Sequence, residues 1–522
     1  MTERIRVALL VGLALLIYLN SLFNRFTYDD YTYILHNPTV AEPSLRGLAD
    51  PGNDPSHRFF RPVSFASYQL NWALAGDRPF GYHLTNVLLH AAVSLLLYFV
   101  LKKLLVAVPR GETIGWVAAL LFAVHPIHVE AVASIVGRSE LLAAGLLLVA
   151  WYSHLTDRPV LALTCFALAL FAKESAVALV PLVVIGDYTG GRFKPLSRYL
   201  SIATTAVAFA AVLWAVQRGR FAERLVLFLN NPLAYLPADL RILNALRIAW
   251  KYLALQLYPA RLSCDYSFSS IPLYATWKHL APAAVATLVV FALWTWTLWT
   301  RRIEWCLPGA IYLAAFSVTA NILLPIGTIM GERLAYLPSA GFCLLIAVAW
   351  IRVERVWSRA AWTALALVLL GFSARTVVRN RDWHDNFSLF SAAVRTVPGN
   401  AKMHDGLGGE YIMRGQRDAA QPELQAAIRI YPNFPQGNDA SFRLVLLAAD
   451  LEQTGDTDDA LKFLDLAIHR SPGLSLAWSA RSSVYLQRGQ AALALRDAQI
   501  AWQVDPSNIQ AQTVLKALGW TP

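Results

Sequence analysis

Charge is scarce in this chain. Asp, Glu, Lys and Arg make up 15% of its 522 residues, against roughly 25% in soluble domains, and that deficit argues against an ordinary soluble enzyme. Cysteine is scarcer still. Cys165, Cys306 and Cys343 lie in or beside apolar runs and Cys264 stands in a loop, so neither a disulfide framework nor a metal set follows from them. The first apolar run, 5–23, follows Arg4 and Arg6 and lacks a convincing small-residue cleavage site, so it reads as a retained first span. Inverted repeats and paired broken helices in matching halves are also missing, which argues against a transporter.

What the chain has is apolar length. Hydrophobic residues reach 56% and the mean hydropathy is +0.44. About eleven apolar stretches fill residues 5–378, among them 87–101, 281–300 and 360–371, and a membrane span needs about 20 such residues. The net charge of +11 would suggest nucleic acid in a soluble protein. Here many Lys and Arg sit in short connections between apolar runs, as the positive-inside rule requires, and nucleic-acid binding is not expected. Trp294, Trp296 and Trp299 read as interfacial anchors.

With the N-terminus inside, the inner loops carry Arg4 and Arg6, then Lys102, Lys103 and Arg110, Arg158, Arg192, Lys194 and Arg198, Arg301 and Arg302, and finally Arg352, Arg355 and Arg359. This ladder closes on eleven spans with the C-terminus outside if two conditions hold. The stretch 160–186 must turn at Lys173–Glu174, since a charge at mid-bilayer costs several kcal/mol. The stretch 240–258, interrupted by Arg241, Arg247 and Lys251, must lie as an interfacial helix on the outer face. Ionisable residues then sort to outer span ends: Asp29, Asp30, His57, Arg58, Arg61 and His83, next His125, His128, Glu130, Arg138 and Glu140, and later Lys173, Glu174, Asp265, Glu332 and Arg333. A polar cavity opening outward accommodates them better than lipid would.

After residue 380 the sequence turns polar and repeats at about 34 residues, the tetratricopeptide (TPR) period. Leu407, Gly408, Tyr411, Gly415, Ala420, Leu424, Ala427 and Pro432 fill the motif once, and Leu447, Ala448, Leu451, Gly455, Ala460, Leu464, Ala467 and Pro472 fill it again. In the third copy Trp478 takes the first slot, followed by Ser482, Tyr485, Gly489, Ala494, Ala498, Ala501 and Pro506. The expected organisation is all-α: a polytopic membrane domain over 1–380, a connecting helix over 381–400, then repeats 401–434, 441–474 and 475–508, with an insertion at 435–440 and a capping helix at 509–518. Such arrays usually bind polypeptide in a concave groove.

Several segments together resemble the transmembrane and TPR repeat-containing O-mannosyltransferases and their bacterial relatives. They are Tyr28-Asp29-Asp30 with Asn37-Pro38, RFFRP at 58–62, GYHLTNVLLH at 81–90, LFAVHPIHVEAVASIVGRSELL at 121–142, FAKESA at 171–176, NILLPIGTIMGERLAYLPS at 321–339, and Asn380 to Trp383 before the repeats. The resemblance covers essentially the whole chain in order. It implies the multi-span C-type glycosyltransferase fold, a polyprenyl-phosphate sugar donor, a hydroxyl acceptor and a site facing outward. The corresponding location is the bacterial inner membrane with periplasmic repeats, or a lumen-facing array if eukaryotic.

Under that reading a carboxylate takes the acceptor proton or steadies an oxocarbenium-like sugar. Asp29 and Asp30 stand where the fold carries its catalytic acid. Neighbours on an extended loop point opposite ways, so one of them faces the sugar, and Asp30 is favoured. The leaving lipid phosphate needs cations: Arg138 and Lys173 first, then Arg333, Arg58 and Arg61. The competing expectation is internal pairing, Arg138 with Glu140 or Glu130, Lys173 with Glu174, and Arg333 with Glu332. His125, His128, Glu130, Glu140, Glu332 and His83 are expected around the sugar or acceptor. A divalent ion at His125, His128 and Glu130 is the lesser alternative, because Pro126 breaks the helical spacing and a fourth ligand is lacking; no cofactor is required. The alternative to an enzyme is a non-catalytic membrane scaffold that displays the repeats to exported proteins.

Overall fold

The computed structural model describes residues 1–50, 60–217, 226–431 and 440–520, and among these every regular element is helical. The chain forms two compact units, Met1–Cys264 with Leu273–Leu389, and Asp265–Pro272 with Phe390–Pro522.

In the first unit each apolar stretch carries a helix: Glu3–Leu16, Pro79–Leu104, Gly111–Val124, Arg138–Leu155, Pro159–Ala172, Leu179–Gly190, Leu196–Gln217, Ala281–Trp299, Ile303–Ser317, Pro338–Glu354 and Ser358–Asp382. Among the described residues 5 helical stretches suffice by length and composition to cross a membrane, Glu3–Phe23, Pro79–Leu104, Leu196–Val216, Ala281–Trp299 and Ser358–Asp382. The pair Gly111–Val124 and Pro126–Ala133, bent by 52°, makes up to 6 if counted as one span. The remaining helices are shorter or more polar, so a count of eleven goes beyond what helix length alone supports. This is a multi-pass membrane protein.

Local chemistry explains the helix starts. Pro79, Pro159 and Pro338 each occupy a first turn, where the missing N–H costs nothing and the fixed φ suits the helix. Gly341 permits a close crossing: a Cβ there would stand 2.4 Å from the Pro308 carbonyl oxygen of the neighbouring helix. Helix Pro159–Ala172 stops at Lys173, which is extended, and a 3-10 turn Glu174–Ala178 follows, as the burial cost of those charges requires. The stretch read as interfacial is helix Ala238–Leu257, whose buried Asn244, Ile248, Tyr252 and Leu255 recur at helical spacing. A helix Pro62–Ala75, also started by its proline, was not anticipated.

The second unit is the TPR solenoid. Helix pairs Ala401–Met413 with Arg417–Ile430, Ala440–Gln453 with Thr457–Arg470, and Ser475–Gln487 with Ala491–Val504 are closed by Ile509–Ala517. Gly415, Gly455 and Gly489 end the first helix of each pair at φ 68°, 84° and 72°, the left-handed conformation that glycine adopts without strain. The small motif residues Ala420, Ala427, Ala460, Ala467, Ala494 and Ala501 are fully buried. Pro432 and residues 435–439 of the insertion lie outside the described residues. This unit also takes in Asp265–Pro272: Asp265 pairs with Lys402 at 2.8 Å and accepts from Asn400 Nδ2 at 2.8 Å, and the Phe268 ring packs at a tilt of 56° against Tyr431.

Candidate functional site

The site begins where the first span ends. Tyr28 is left-handed at φ 50°, a conformation that costs a bulky residue on the order of 1–2 kcal/mol, and its N–H donates to Asn386 Oδ1 at 2.8 Å. The kink separates the two aspartates that follow.

Asp30 turns inward and is fully buried. Its Oδ2 accepts from the Thr27 N–H and its Oδ1 from the Val136 N–H, both at 3.0 Å. It thus fastens the first loop to the turn before Arg138. Burial pushes its carboxyl up to about 7, against the opposing pull of those backbone donors. Asp29 turns the other way. Its side chain is 30% exposed and its Oδ2 lies 3.5 Å from Arg333 Nη1.

Arg333 is the centre of the arrangement. Its backbone N–H donates to Glu130 Oε2 at 2.9 Å, and its Nη1 lies 3.4 Å from Glu130 Oε1. Glu130 is buried, while the Arg333 side chain stays 32% accessible. Burial opposes the guanidinium charge, but Glu130 and Asp29 outweigh it and hold the cation fully ionised. The preceding backbone is clamped too: the Tyr252 hydroxyl accepts from the Gly331 N–H at 2.9 Å and donates to its carbonyl at 3.0 Å.

Two ion pairs adjoin this centre. Arg61 grips Glu174 with two parallel bonds, Nε to Oε2 at 3.1 Å and Nη2 to Oε1 at 2.6 Å. Burial would raise the Glu174 carboxyl, yet Arg61 and then Lys173 pull it down to about 2. Lys173 itself pairs with Glu140, and both are buried. The Tyr68 hydroxyl is within electrostatic reach of Arg138, Asp30, Arg61 and Arg333, which marks one neighbourhood. A few residues beyond Glu174 an apolar cavity of about 380 Å³ opens among Val177, Pro181, Ala203, Val207 and Ser317.

Other expected site residues sit deeper. Arg138 is fully buried, donating from Nε to Asn86 Oδ1 at 2.8 Å, from Nη1 to the Ser67 carbonyl at 3.1 Å and from Nη2 to the Tyr82 carbonyl at 2.9 Å, between the Tyr68 and Tyr82 rings. Glu332 is buried, accepts from the Ser263 N–H at 2.6 Å and lies 3.8 Å from Arg379. His125 Nε2 lies 2.9 Å from the Gln256 carbonyl and His128 Nε2 2.7 Å from Ser339 Oγ, in a buried cluster with Phe122 and Tyr336. His83 is also fully buried. Among the described residues no group of three or more His, Cys, Asp or Glu is placed to hold a metal ion. His57 and Arg58 lie outside the described residues.

The expected neighbour pairings are replaced by distant ones. Lys173 takes Glu140, Glu174 takes Arg61, Arg333 takes Glu130 and Asp29, and Glu332 takes Arg379. Asn86, Tyr252 and Asn386, which position the charged groups, went unremarked. Asn86 lies in the conspicuous GYHLTNVLLH segment, and Tyr252 lies on the buried face of an amphipathic helix.

No family model matches the sequence. The human protein O-mannosyl-transferase TMTC3 is 30% identical over 457 residues, 77% of this chain and 49% of the relative. The Caenorhabditis elegans protein O-mannosyl-transferase F38B6.6 is 30% identical over 446 residues, 82% of this chain and 63% of its own length. Human TMTC1 is 28% identical over 490 residues, covering 81% and 55%. The chain thus spans between about half and under two thirds of the length of these curated relatives. Among solved structures, the crystal structure of the APC/C hetero-tetramer Cut9-Hcn1 aligns over 88% of this chain and 92% of its own at 13% identity, with a TM-score of 0.24 that bears no argument. Over most of its length, then, this chain is a relative of the transmembrane and TPR repeat-containing O-mannosyltransferases.

Proposed function

We propose that the protein is an integral membrane glycosyltransferase that moves a mannose-like hexose from a polyprenyl-phosphate donor to a hydroxyl of a protein acceptor. The observation that carries this reading is the accessible carboxylate and accessible guanidinium of Asp29 and Arg333, 3.5 Å apart at the end of the first span. The curated relatives are named protein O-mannosyl-transferases, which supports the same chemistry.

Asp29, rather than the buried Asp30, takes the proton of the acceptor hydroxyl as that oxygen bonds to the sugar C1. The bond from C1 to the phosphate oxygen breaks, and the lipid phosphate leaves with the electron pair. A sugar-bound lipid phosphate has one negative charge and the released one approaches two, so charge grows on the phosphate in the transition state. Arg333 and Arg61 meet that growing charge, and a fixed donor aimed at developing charge is worth about 3–4 kcal/mol. Glu130 and Glu174 orient the two guanidinium groups. Lys173 with Glu140, and Arg138 with Asn86, hold the floor of the site. The apolar cavity beyond Glu174 suits the first isoprenoid units of the donor.

The proposed topology has eleven spans, a cytoplasmic N-terminus and an extracytoplasmic site. The TPR unit follows the last span on the same side as the site and engages the acceptor or a partner. Purified protein incubated with a panel of polyprenyl-phosphate hexoses and scored for sugar release and peptide transfer tests the reading. Turnover of one lipid-linked hexose is expected; inertness toward all of them, alongside retained recruitment of exported protein, favours the scaffold.

A further inference from the structure

Helix Pro79–Leu104 connects two different chemical environments. Asn86 near its start holds Arg138 beneath the candidate site. Lys103 near its end is 17 residues further on, about 26 Å away at 1.5 Å per residue. At that far end many cations already have carboxylates. Arg6 pairs with Glu112, Arg110 with Glu354, Lys194 and Arg198 with Asp157, and Arg352 with Glu304.

One corner differs. Arg192 donates from Nη1 to the Lys103 carbonyl at 2.9 Å and from Nη2 to the Leu104 carbonyl at 2.8 Å, closing the end of that helix. Beside it Arg301, left-handed at φ 51° in the break between Ala281–Trp299 and Ile303–Ser317, lays its guanidinium 4.6 Å over the Tyr188 ring. Tyr188 also meets Phe193, the residue after Arg192. The Lys103 and Arg301 side chains are exposed, and among the described residues no carboxylate pairs with either. Phe193 and Trp299, the latter the last residue of an apolar helix, are large side chains 65% and 85% exposed.

We propose that Lys103, Arg192 and Arg301 form a binding site for the headgroup phosphate of an anionic phospholipid, at the end of the bundle away from the candidate active site. Charge complementarity selects an anionic lipid. Arg301 is pre-ordered by its stack on Tyr188, so binding costs it little side-chain entropy, and Phe193 and Trp299 flank the acyl chains. The general bias of cations toward one membrane face explains why basic residues collect at this end. It does not explain why Arg192 and Arg301 gather about the Tyr188 and Phe193 rings beside Lys103, with Arg301 ordered against one of them.

The test uses the full-length protein in bilayer discs of phosphatidylcholine with increasing phosphatidylglycerol, reading retained anionic lipid by native mass spectrometry and thermal stability in parallel. Each cation near an anionic surface is worth roughly fivefold in affinity. The double variant Lys103→Gln/Arg301→Gln is therefore expected to lose on the order of twentyfold in phosphatidylglycerol retention and to lose the stabilisation that lipid confers. The control Arg158→Gln/Arg359→Gln removes two exposed cations of the same face and should keep both. Equal loss in the two double variants, or no preference of the unaltered protein for phosphatidylglycerol, overturns the site. Stability of both variants in pure phosphatidylcholine reports folding separately.

Discussion

The two units differ in what they bury beside their apolar side chains. In the TPR unit Leu424, Leu444, Leu447 and Leu464 are fully buried, and ion pairs extend toward the surface, as where Arg481 meets the exposed Asp465 as well as the buried Asp497. In the membrane unit Asp30, Arg138, Glu332 and Arg379 are inside, while Leu288, Leu293, Leu367 and Leu370 face outward. Water drives the first arrangement by expelling apolar surface. Lipid removes that drive, so polar groups gather inside, where they find partners. A buried ion in the membrane unit therefore has to be sorted into framework or chemistry by what it touches and by what can reach it.

Removing a framework cation should have the largest effect. Arg138→Ala strands Asn86 Oδ1 and the Ser67 and Tyr82 carbonyls in the interior, and breaking such a buried charged network costs about 3–5 kcal/mol. The expected outcome is loss of folded protein in detergent, read by size-exclusion profile and thermal denaturation. Normal stability with a selective loss of donor affinity would move Arg138 back among the phosphate ligands.

Next in size is the chemistry itself. Arg333→Gln should leave the protein folded and lower turnover of the lipid-phosphate donor by about a hundredfold to a thousandfold, the range of one fixed donor aimed at developing charge. Arg61→Gln should cost less, because two of its N–H groups are already committed to Glu174 at 3.1 and 2.6 Å, whereas Arg333 meets its carboxylates at 3.4 and 3.5 Å. The order of the two variants in steady-state kinetics checks the assignment, and the reverse order would shift the phosphate toward Arg61.

The repeats offer a milder comparison. Deleting 401–522 should spare sugar release to water and depress transfer to the natural acceptor, provided the truncated protein is shown to be folded. That deletion also strips Asp265 of Lys402, so Lys402→Ala is the finer probe, with an expected loss near 1 kcal/mol. Lys402 and then polar neighbours pull the Asp265 carboxyl down to about 2 against the effect of burial. The stability this pair provides is present above about pH 4 and is lost as pH falls toward 2.

The smallest effect belongs to His404. Burial works against its charge, but Glu423 Oε2 at 2.5 Å and the Pro398 carbonyl at 2.9 Å raise its pKa above the usual 6.5. A raised histidine stabilises fully below pH 6.5 and less as pH climbs through its folded value. Unfolding of the repeats should therefore ease slightly on the alkaline side, and His404→Gln should flatten that slope in a pH series of thermal melts.

Much of the fold was legible because its signals are local. Apolar run length placed the membrane helices, and the spacing of Gly415, Gly455 and Gly489 with the buried alanines placed the repeats. The turn at Lys173–Glu174 was legible too, since two charges do not sit at mid-bilayer without partners. The identity of those partners was not. Lys173 and Glu174 are adjacent, yet one reaches Glu140 and the other Arg61, because neighbouring side chains leave an extended backbone in opposite directions. Asp29 and Asp30 divide differently: the expected extended loop is helical backbone there, where successive side chains point about 100° apart, and spacing alone does not say which of them meets the open side. Helix Pro62–Ala75 escaped notice because it is short and carries polar residues such as Gln69 and Asn71 on its buried side.

The claim that Asp29 does the chemistry while Asp30 holds the loop has one direct test. Asp29→Asn and Asp30→Asn are purified beside the unaltered protein, and transfer of mannose from polyprenyl-phosphate mannose to an acceptor peptide is measured together with donor binding and melting temperature. Asp29→Asn should bind donor and melt normally while transfer falls at least about a hundredfold, the low end for a lost general base. Asp30→Asn should lower the melting temperature and keep measurable transfer in whatever fraction stays folded. Full transfer by Asp29→Asn, with none from folded Asp30→Asn, would contradict the account.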